Sequence, residues 1–541
     1  MTNTLLSWSN LDKSRLIFLQ VAAALLCVIA FALHIYMTPY GAAVSPDSVK
    51  YISAARNLAE GNGLLHLANN GELVPLTLWA PLYPVLLSMG ALIRLEPWVF
   101  GRYLNAILFA GNILLLQLIL FRITKGNIGA TIIGGIVMIL SPIMLEVHTW
   151  IWTEPLAILL GFGSLLATQI YIDRGSVVDL VIVGLLLALG LLNRYAAVAF
   201  PLAVIISMFF IRDRRGKLNR WRELIIIALI SFAPLGIVML RNALIQVGAV
   251  GRHVIFSPAS VSGALEDAIE VISVWIVPGR IEGPARNTLA TAISLMWFCL
   301  ISWGILKERR ANIQVAMRGL NLQQILYIFL VTSIIPPLAV NIFFSPGVLV
   351  DQRVLSLAYI AGVLLSISLL NSVILTSLRI LRTGVQEYSF VGLLIRAGIL
   401  AVGLTLIALN AVHAIDWVRD AQDDGRGFAS SFWQDSKEIE YLERHPREGF
   451  LISNVPDAII FLTGQSSIMM PDSTRGIEEL VSTSSSNNGD QKTEIVWIVY
   501  FRTRLNRSKV PGEVMLTTQL ELEPIYGSES GSIYSLSTQS K

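Results

Sequence analysis

LIFLQVAAALLCVIAFALHIY, Leu16 to Tyr36, runs for 21 residues without an Asp, Glu, Lys or Arg. A soluble core has no place for a segment apolar on every side, whereas the hydrocarbon layer of a bilayer asks for about 20 such residues in a row. No water is present there to bond stray peptide groups. Each backbone N–H and C=O must find its partner within its own segment, so the run reads as a spanning helix. It is longer than the hydrophobic region of a secretory signal and carries no clear small-residue cleavage site, which makes it a retained first helix.

Ten more apolar blocks follow, near 98–121, 127–145, 155–172, 177–192, 196–211, 224–241, 286–306, 323–344, 354–376 and 393–413. Composition agrees, with 54% hydrophobic and 14% charged residues among 541, against about 25% charged in ordinary soluble domains. The expected fold class is mainly α, a polytopic bundle of about eleven transmembrane helices. The short blocks on either side of Asn193-Arg194-Tyr195 are two crossings or a hairpin that enters and returns, so the total is eleven or nine with the same parity. Cys27 and Cys299 both fall inside apolar blocks, where a small hydrophobic role outweighs a disulfide or a metal site.

Orientation follows from where the cations lie. The densest basic cluster is Arg212, Arg214, Arg215, Lys217, Arg220 and Arg222, followed by Lys307, Arg309, Arg310 and Arg318, with smaller groups at Arg122 and Lys125 and at Arg379 and Arg382. One topology makes all of them cytoplasmic: N-terminus inside, the loop from Pro39 to Trp79 outside, and everything after about Ala414 outside. The expected domains are residues 1–413, a membrane domain with its first extracytoplasmic loop at 39–97, and 414–541, a small extracytoplasmic α/β domain. In the latter, the pattern predicts a helix at Ser436 to Arg444, strands at Gly449 to Ser453 and Glu494 to Phe501, a strand pair around Glu523 to Leu536, and a loop at Ser482 to Asp490. A net charge of +3 gives no sign of nucleic-acid binding. The tail holds no Gly-rich phosphate loop, and Asn506-Arg507-Ser508 is a weak glycosylation triplet. The lean tail and lack of long loops fit a bacterial plasma membrane.

Three groups of residues on the outer side could carry chemistry. The first loop reads SPDSVKYISAARNLAEGNGLL from Ser45, then WAPLYP from Trp79. Asp47 stands where it could cap a helix at the membrane surface and do nothing else. In HTWIWTEPLAILL, His148 to Leu160, Glu154 is the last charge before a helix, a place the helix dipole favours for structural reasons alone. Arg194, Arg241 and Arg353 lie near outer ends of apolar blocks, where cations face a cavity or a partner, or snorkel to headgroups.

Taken together, PDS with Tyr51 and Ala55, EGNGL at Glu60 to Leu64, PLYP at Pro81 to Pro84, TEPL at Thr153 to Leu156, LLNRY at Leu191 to Tyr195, LRN at Leu240 to Asn242 and DQRVL at Asp351 to Leu355 resemble the GT-C glycosyltransferases. The resemblance is to the branch with protein O-mannosyltransferases and the lipid A aminoarabinose transferase, and its pieces keep order and side of the membrane. It implies transfer of a sugar from a polyprenyl-phosphate donor in the membrane lipid to an extracytoplasmic acceptor, which could be a lipid, a glycan or a protein. It also implies that Asp47 is the catalytic base of a single inverting displacement and that Arg194, Arg241 and Arg353 are candidates to hold the donor phosphate. Glu154 is left to orient the acceptor, bind a metal or hold an arginine, and Tyr51 and Tyr83 are candidate substrate contacts of the first-loop region. One departure stands out: Asp47 is followed by Ser48 and not by a second acid. No metal is therefore expected, although a divalent ion could draw on Glu154, His148 and His253.

Two other classes compete. A transporter or flippase of lipid-linked sugars keeps its polar sites near the bilayer midplane, often between related halves. Here the notable charges gather at one face and no internal repeat is evident. A receptor or assembly protein would tolerate amides in place of Asp47 and Glu154. In the tail, Tyr441, Trp497, Tyr500 and Tyr526 could stack on sugars, though their helix and strand positions favour a core role.

Overall fold

The computed structural model describes residues 12–68, 72–210, 217–245, 253–254, 259–276, 284–311, 320–345, 350–383, 390–446, 451–487, 495–503 and 510–537. Arg212, Arg214, Arg215, Arg318 and the Asn506 triplet lie outside them, as do the side chains of Lys217, His253, Arg309, Arg310 and Arg382. The chain forms two compact units. The first comprises Met1–Met37, Thr77–Tyr83 and Arg102–Asp420, and the second Thr38–Leu76, Pro84–Gly101 and Ala421–Lys541. Most of the first loop thus groups with the C-terminal residues and not with the bundle that precedes and follows it in the chain.

In the first unit, every one of the eleven apolar blocks is helical. Among the described residues, eight helices are long and apolar enough to cross a membrane: Lys13–Tyr36, Pro97–Ile123, Glu154–Arg174, Arg220–Ile245, Arg286–Lys307, Leu322–Phe343, Ser356–Ile380 and Gly392–Asp424. The block at 127–145 is a bent pair, Ile128–Ile139 and Pro142–Thr149, with an angle of 53° between them. Pro142 accounts for the break, since it cannot continue the hydrogen-bond ladder and pushes the residue before it out of helical geometry. Val177–Asn193 and Tyr195–Phe209 are the short ones. Seventeen helical residues in the first of them rise only ~25 Å, below the ~30 Å of hydrocarbon.

Aliphatic side chains face outward, as lipid requires: Ile17, Val21 and Val28 on the first helix are 57%, 61% and 64% exposed, while Leu26, Ala30 and His34 are buried. Glycines let helices approach where lipid offers no hydrophobic drive. A Cβ built on Gly161 would lie 2.1 Å from the Phe200 ring, and one on Gly184 would lie 2.8 Å from Ile230. The last helix corrects the expected boundary at Ala414. It runs from Phe390 to Asp424 without interruption, so Asp416, Asp420, Asp423 and Asp424 belong to its final turns, and Gly425, with φ +68°, follows it.

The second unit contains a hairpin, β1 (Leu65–Leu67) and β2 (Leu73–Pro75), and the first unit a two-residue pair, β3 (His253–Val254) with β4 (Phe344–Ser345). The main sheet of the second unit has β5 (Leu451–Ser453), β6 (Ser467–Met469), β7 (Ile495–Phe501), β8 (Glu523–Gly527) and β9 (Gly531–Ser537), ordered β6-β5-β7-β9-β8. β5 runs parallel to β6 and β7, and β9 antiparallel to β7 and β8. The central strand, IVWIVYF, has buried side chains from Val496 to Phe501, the pattern of a strand covered on both faces. The helix Lys437–Arg444 follows its cap Ser436 as expected, but the expected loop at Ser482 to Asp490 is helical as far as Asn487, within Thr474–Asn487. Runs of Ser read as loop because their hydroxyls compete for the backbone, yet the packed face of Ile477 and Val481 carries the helix onward.

Glu438 in this unit is fully buried. Burial raises its carboxyl, but hydroxyls of Ser528, Ser530 and Ser436 donate to it at 2.5, 2.6 and 3.0 Å and hold it below the usual range. The segment before the first-loop helix is anchored by backbone. The Phe428 N–H donates to the Val44 carbonyl at 2.8 Å, and the Trp98 indole donates to the Ala42 carbonyl at 2.8 Å. Gly41, with φ +98°, passes under Trp98 where a Cβ would lie 2.3 Å from the ring.

Candidate active site

Glu154 is the first residue of the helix Glu154–Arg174 and is 1% exposed. Two arginines from distant parts of the chain meet it. Arg353 places Nε 2.5 Å from Glu154 Oε1, and Arg194 bonds the same oxygen through its guanidinium. The Thr153 hydroxyl donates to Oε2 at 3.3 Å. The Arg353 guanidinium also lies over the Trp152 ring, 4.5 Å from its centroid, and Trp150 stacks on Trp152 at 4.9 Å. One buried carboxylate thus orients two cations, with the arginine side chains 14% and 16% exposed. Such a pair of planar guanidiniums matches the oxygens of a phosphate.

Arg194 owes its place to a helix break. Asn193 ends one helix and Tyr195 begins the next turn, with Arg194 between them in extended conformation at φ −158° and ψ 124°. The loop that carries Trp152 and Glu154 is a second break, between the helices Pro142–Thr149 and Glu154–Arg174. Irregular backbone among apolar helices needs hydrogen bonds beyond those of the helices themselves, although the Thr153 carbonyl keeps the Ala157 N–H at 3.0 Å. Buried amides supply further bonds. Asn105 donates to the carbonyls of His148 at 3.0 Å and Trp150 at 2.6 Å, Asn112 to that of Pro155 at 2.8 Å, and Asn193 to that of Thr153 at 2.8 Å. The His34 ring adds a bond of 2.9 Å to the His148 carbonyl.

His148 itself, a candidate metal ligand by its chemistry, uses both ring nitrogens inside the protein. Nδ1 donates to the Met144 carbonyl at 2.7 Å, and Nε2 accepts from Asn112 at 3.0 Å. No group of three or more His, Cys, Asp or Glu able to share an ion occurs among the described residues. Arg241 donates to Asn242 at 3.1 Å, and Asn242 donates to the Thr77 carbonyl at 3.3 Å, which the Tyr195 hydroxyl also approaches at 3.4 Å. Tyr83 is fully buried, with its hydroxyl on Asn105 at 3.3 Å.

Asp47 belongs to the second unit, on the helix Pro46–Ala59. The cap offered to it by the sequence is held by Ser45. That residue alone has the extended backbone a cap needs, φ −105° and ψ 173°, and it exchanges hydrogen bonds with Ser48, N–H to hydroxyl, at 3.0 and 3.3 Å. Asp47 is left in the first turn, half-buried. Tyr51, one turn further along, is buried.

Of the charges visible in the sequence, Glu154, Arg194 and Arg353 come together in the structure, joined by Trp152 and supported by Asn105, Asn112 and Asn193, which carry no charge to mark them. Their signal was available, since an amide inside an apolar block is costly unless it bonds something specific.

The fold of the chain is similar to those of solved membrane proteins at low sequence identity, which agrees with the fold that the resemblance in the motifs implies. ArnT from Cupriavidus metallidurans, solved with undecaprenyl phosphate bound, aligns with a TM-score of 0.53 over 94% of this chain and 97% of its own, at 12% identity. The archaeal oligosaccharyltransferase AglB from Archaeoglobus fulgidus, solved with an inhibitory peptide and a dolichol-phosphate, aligns with a TM-score of 0.52 over 88% of this chain and 69% of its own, at 11% identity. Comparison with protein-family models gives no match, nor does comparison with curated protein sequences.

Proposed function

We propose that this protein is an integral membrane glycosyltransferase that moves a sugar from a polyprenyl-phosphate carrier to an acceptor hydroxyl outside the cytoplasm. The observation that carries the reading is the Arg194–Glu154–Arg353 cluster, two oriented cations on one buried acid in a GT-C bundle. Asp47 takes the proton from the acceptor hydroxyl as its oxygen attacks the anomeric carbon. The bond from that carbon to the phosphate oxygen breaks with inversion, and the electron pair leaves with the lipid phosphate. Arg194 and Arg353 offset the charge that grows there, with Arg241 as a third cation of the same role. Glu154 aims the two arginines. The neighbours' lipid phosphates support the donor class. The basic loops support a bacterial plasma-membrane orientation with the N-terminus cytoplasmic and the C-terminal residues outside.

The test is transfer or sugar release by the purified protein in lipid, with a panel of polyprenyl-phosphate sugars, for the wild type and Asp47→Asn. Turnover that disappears in Asp47→Asn is the expected result. Turnover unaffected by the substitution removes Asp47 as the base, and no turnover with any donor shifts the assignment to a transporter or binding protein.

A further inference from the structure

We infer that the buried ion pair between Lys50 and Asp457 is the latch by which the C-terminal residues position Asp47, an inference that rests on Asp47 being the base. Lys50 lies three residues after Asp47, one helical turn along the helix Pro46–Ala59, on an adjoining part of its surface. Its ammonium is 3.2 Å from Asp457 Oδ1 and donates to the Leu67 carbonyl at 3.1 Å. The two side chains are only 7% and 8% exposed. Asp457 stands in the first turn of the helix Pro456–Thr463, directly after β5, and Leu67 ends β1. One ammonium therefore joins three elements.

The choice of charges matters physically. Apolar packing would hold the first-loop helix in place while tolerating small rotations and slides. A buried ammonium held between a carboxylate and a backbone carbonyl admits few geometries, because slippage separates the paired charges in a poorly solvated place. The neighbouring ties point the same way. Val44 pairs with Gly427 and accepts from Phe428, and Trp98 holds Ala42 while its ring meets Phe461 edge-on at 5.2 Å. Phe461 lies on the same helix as Asp457. Residues 42 to 50, with Asp47 among them, are thereby held against the segments that follow Ala421. Lys50 and Asp457 act through Asp47; neither is assigned a contact with substrate.

The experiment uses the full chain in lipid with both charges removed together, Lys50→Met with Asp457→Leu, so that no unpaired charge is left behind. A displaced base costs rate more than affinity, so kcat is expected to fall about 10- to 100-fold with donor KM nearly unchanged. Amide exchange over 46–59 should quicken while the global unfolding temperature holds. Restoring the pair in reverse, Lys50→Asp with Asp457→Lys, should recover part of kcat. Wild-type kcat in the apolar double variant overturns the inference. Should that variant fail to fold, Asp457→Asn carries the same measurement. A wild type with no transfer activity defeats the proposed function, and amide exchange then decides the latch alone: protection over 46–59 unchanged without the charges overturns it.

Discussion

Replacing Glu154 by Gln removes one negative charge and little else, since the amide keeps the shape and an oxygen acceptor. At the 2.5 Å separation between Arg353 Nε and Oε1, Coulomb attraction at an effective dielectric of about 20 is ~7 kcal/mol before desolvation is counted. Desolvation takes back much of this, and breaking a buried pair by changing one partner costs about 3–5 kcal/mol in practice. Arg194 shares the same oxygen, so both guanidiniums lose this ion-pair partner at once. The expected outcome is a loss of ~3 kcal/mol in unfolding free energy. If the same loss is felt in the transition state, transfer falls about 100-fold. Denaturant unfolding in mixed micelles reads the first, and initial rates with the active donor read the second. A cycle with Arg353→Met should show a coupling of about 1–3 kcal/mol. Stability within ~0.5 kcal/mol of wild type, with unchanged transfer and no coupling, refutes the argument that Glu154 aims the arginines.

Two further outcomes follow from packing and protonation. Gly161→Ala forces a methyl against the Phe200 ring and should cost about 1–3 kcal/mol, read as a lower unfolding temperature, with Phe200→Leu in the same chain restoring most of it. Glu438 has a carboxyl held below its usual value, so its contribution is complete above the unfolded value of about 4.3 and is lost as pH falls through the lower folded value. Protection factors of amides in β7 and β9 should therefore hold above about pH 5 and fall in acid, and Glu438→Gln should lower the plateau and flatten the fall. An unchanged acid limb in that variant would assign the acid sensitivity to other groups.

The membrane fold was plain in the sequence because long uncharged runs have few physical meanings, and all eleven blocks became helix. Length was harder. Break residues such as Ser141-Pro142 and Arg194 shorten helices by capping and backbone geometry, which hydrophobicity does not register. The acid and two of the arginines were legible as charges at the ends of apolar blocks. Their convergence was not, because Glu154 and Arg353 are 199 residues apart and nothing local links them. Asp47 looked like a cap because a carboxylate beside a proline suits that place, but the preceding Ser45 had the better geometry and a reciprocal partner in Ser48. The strand β7 was visible in its own composition, while the short β6 and the helix Pro456–Thr463 were set by partners elsewhere in the sheet.

The amides that hold the Trp152–Glu154 loop also bear on how far its sequence can vary. Asn105, Asn112 and Asn193 bond backbone carbonyls, and a carbonyl is present whatever side chain its residue carries. The identities of the loop residues can therefore drift while the donors beneath them cannot, unless another donor replaces each one. The polar donors spaced along otherwise apolar helices are thus constrained by backbone geometry more tightly than the loop they support.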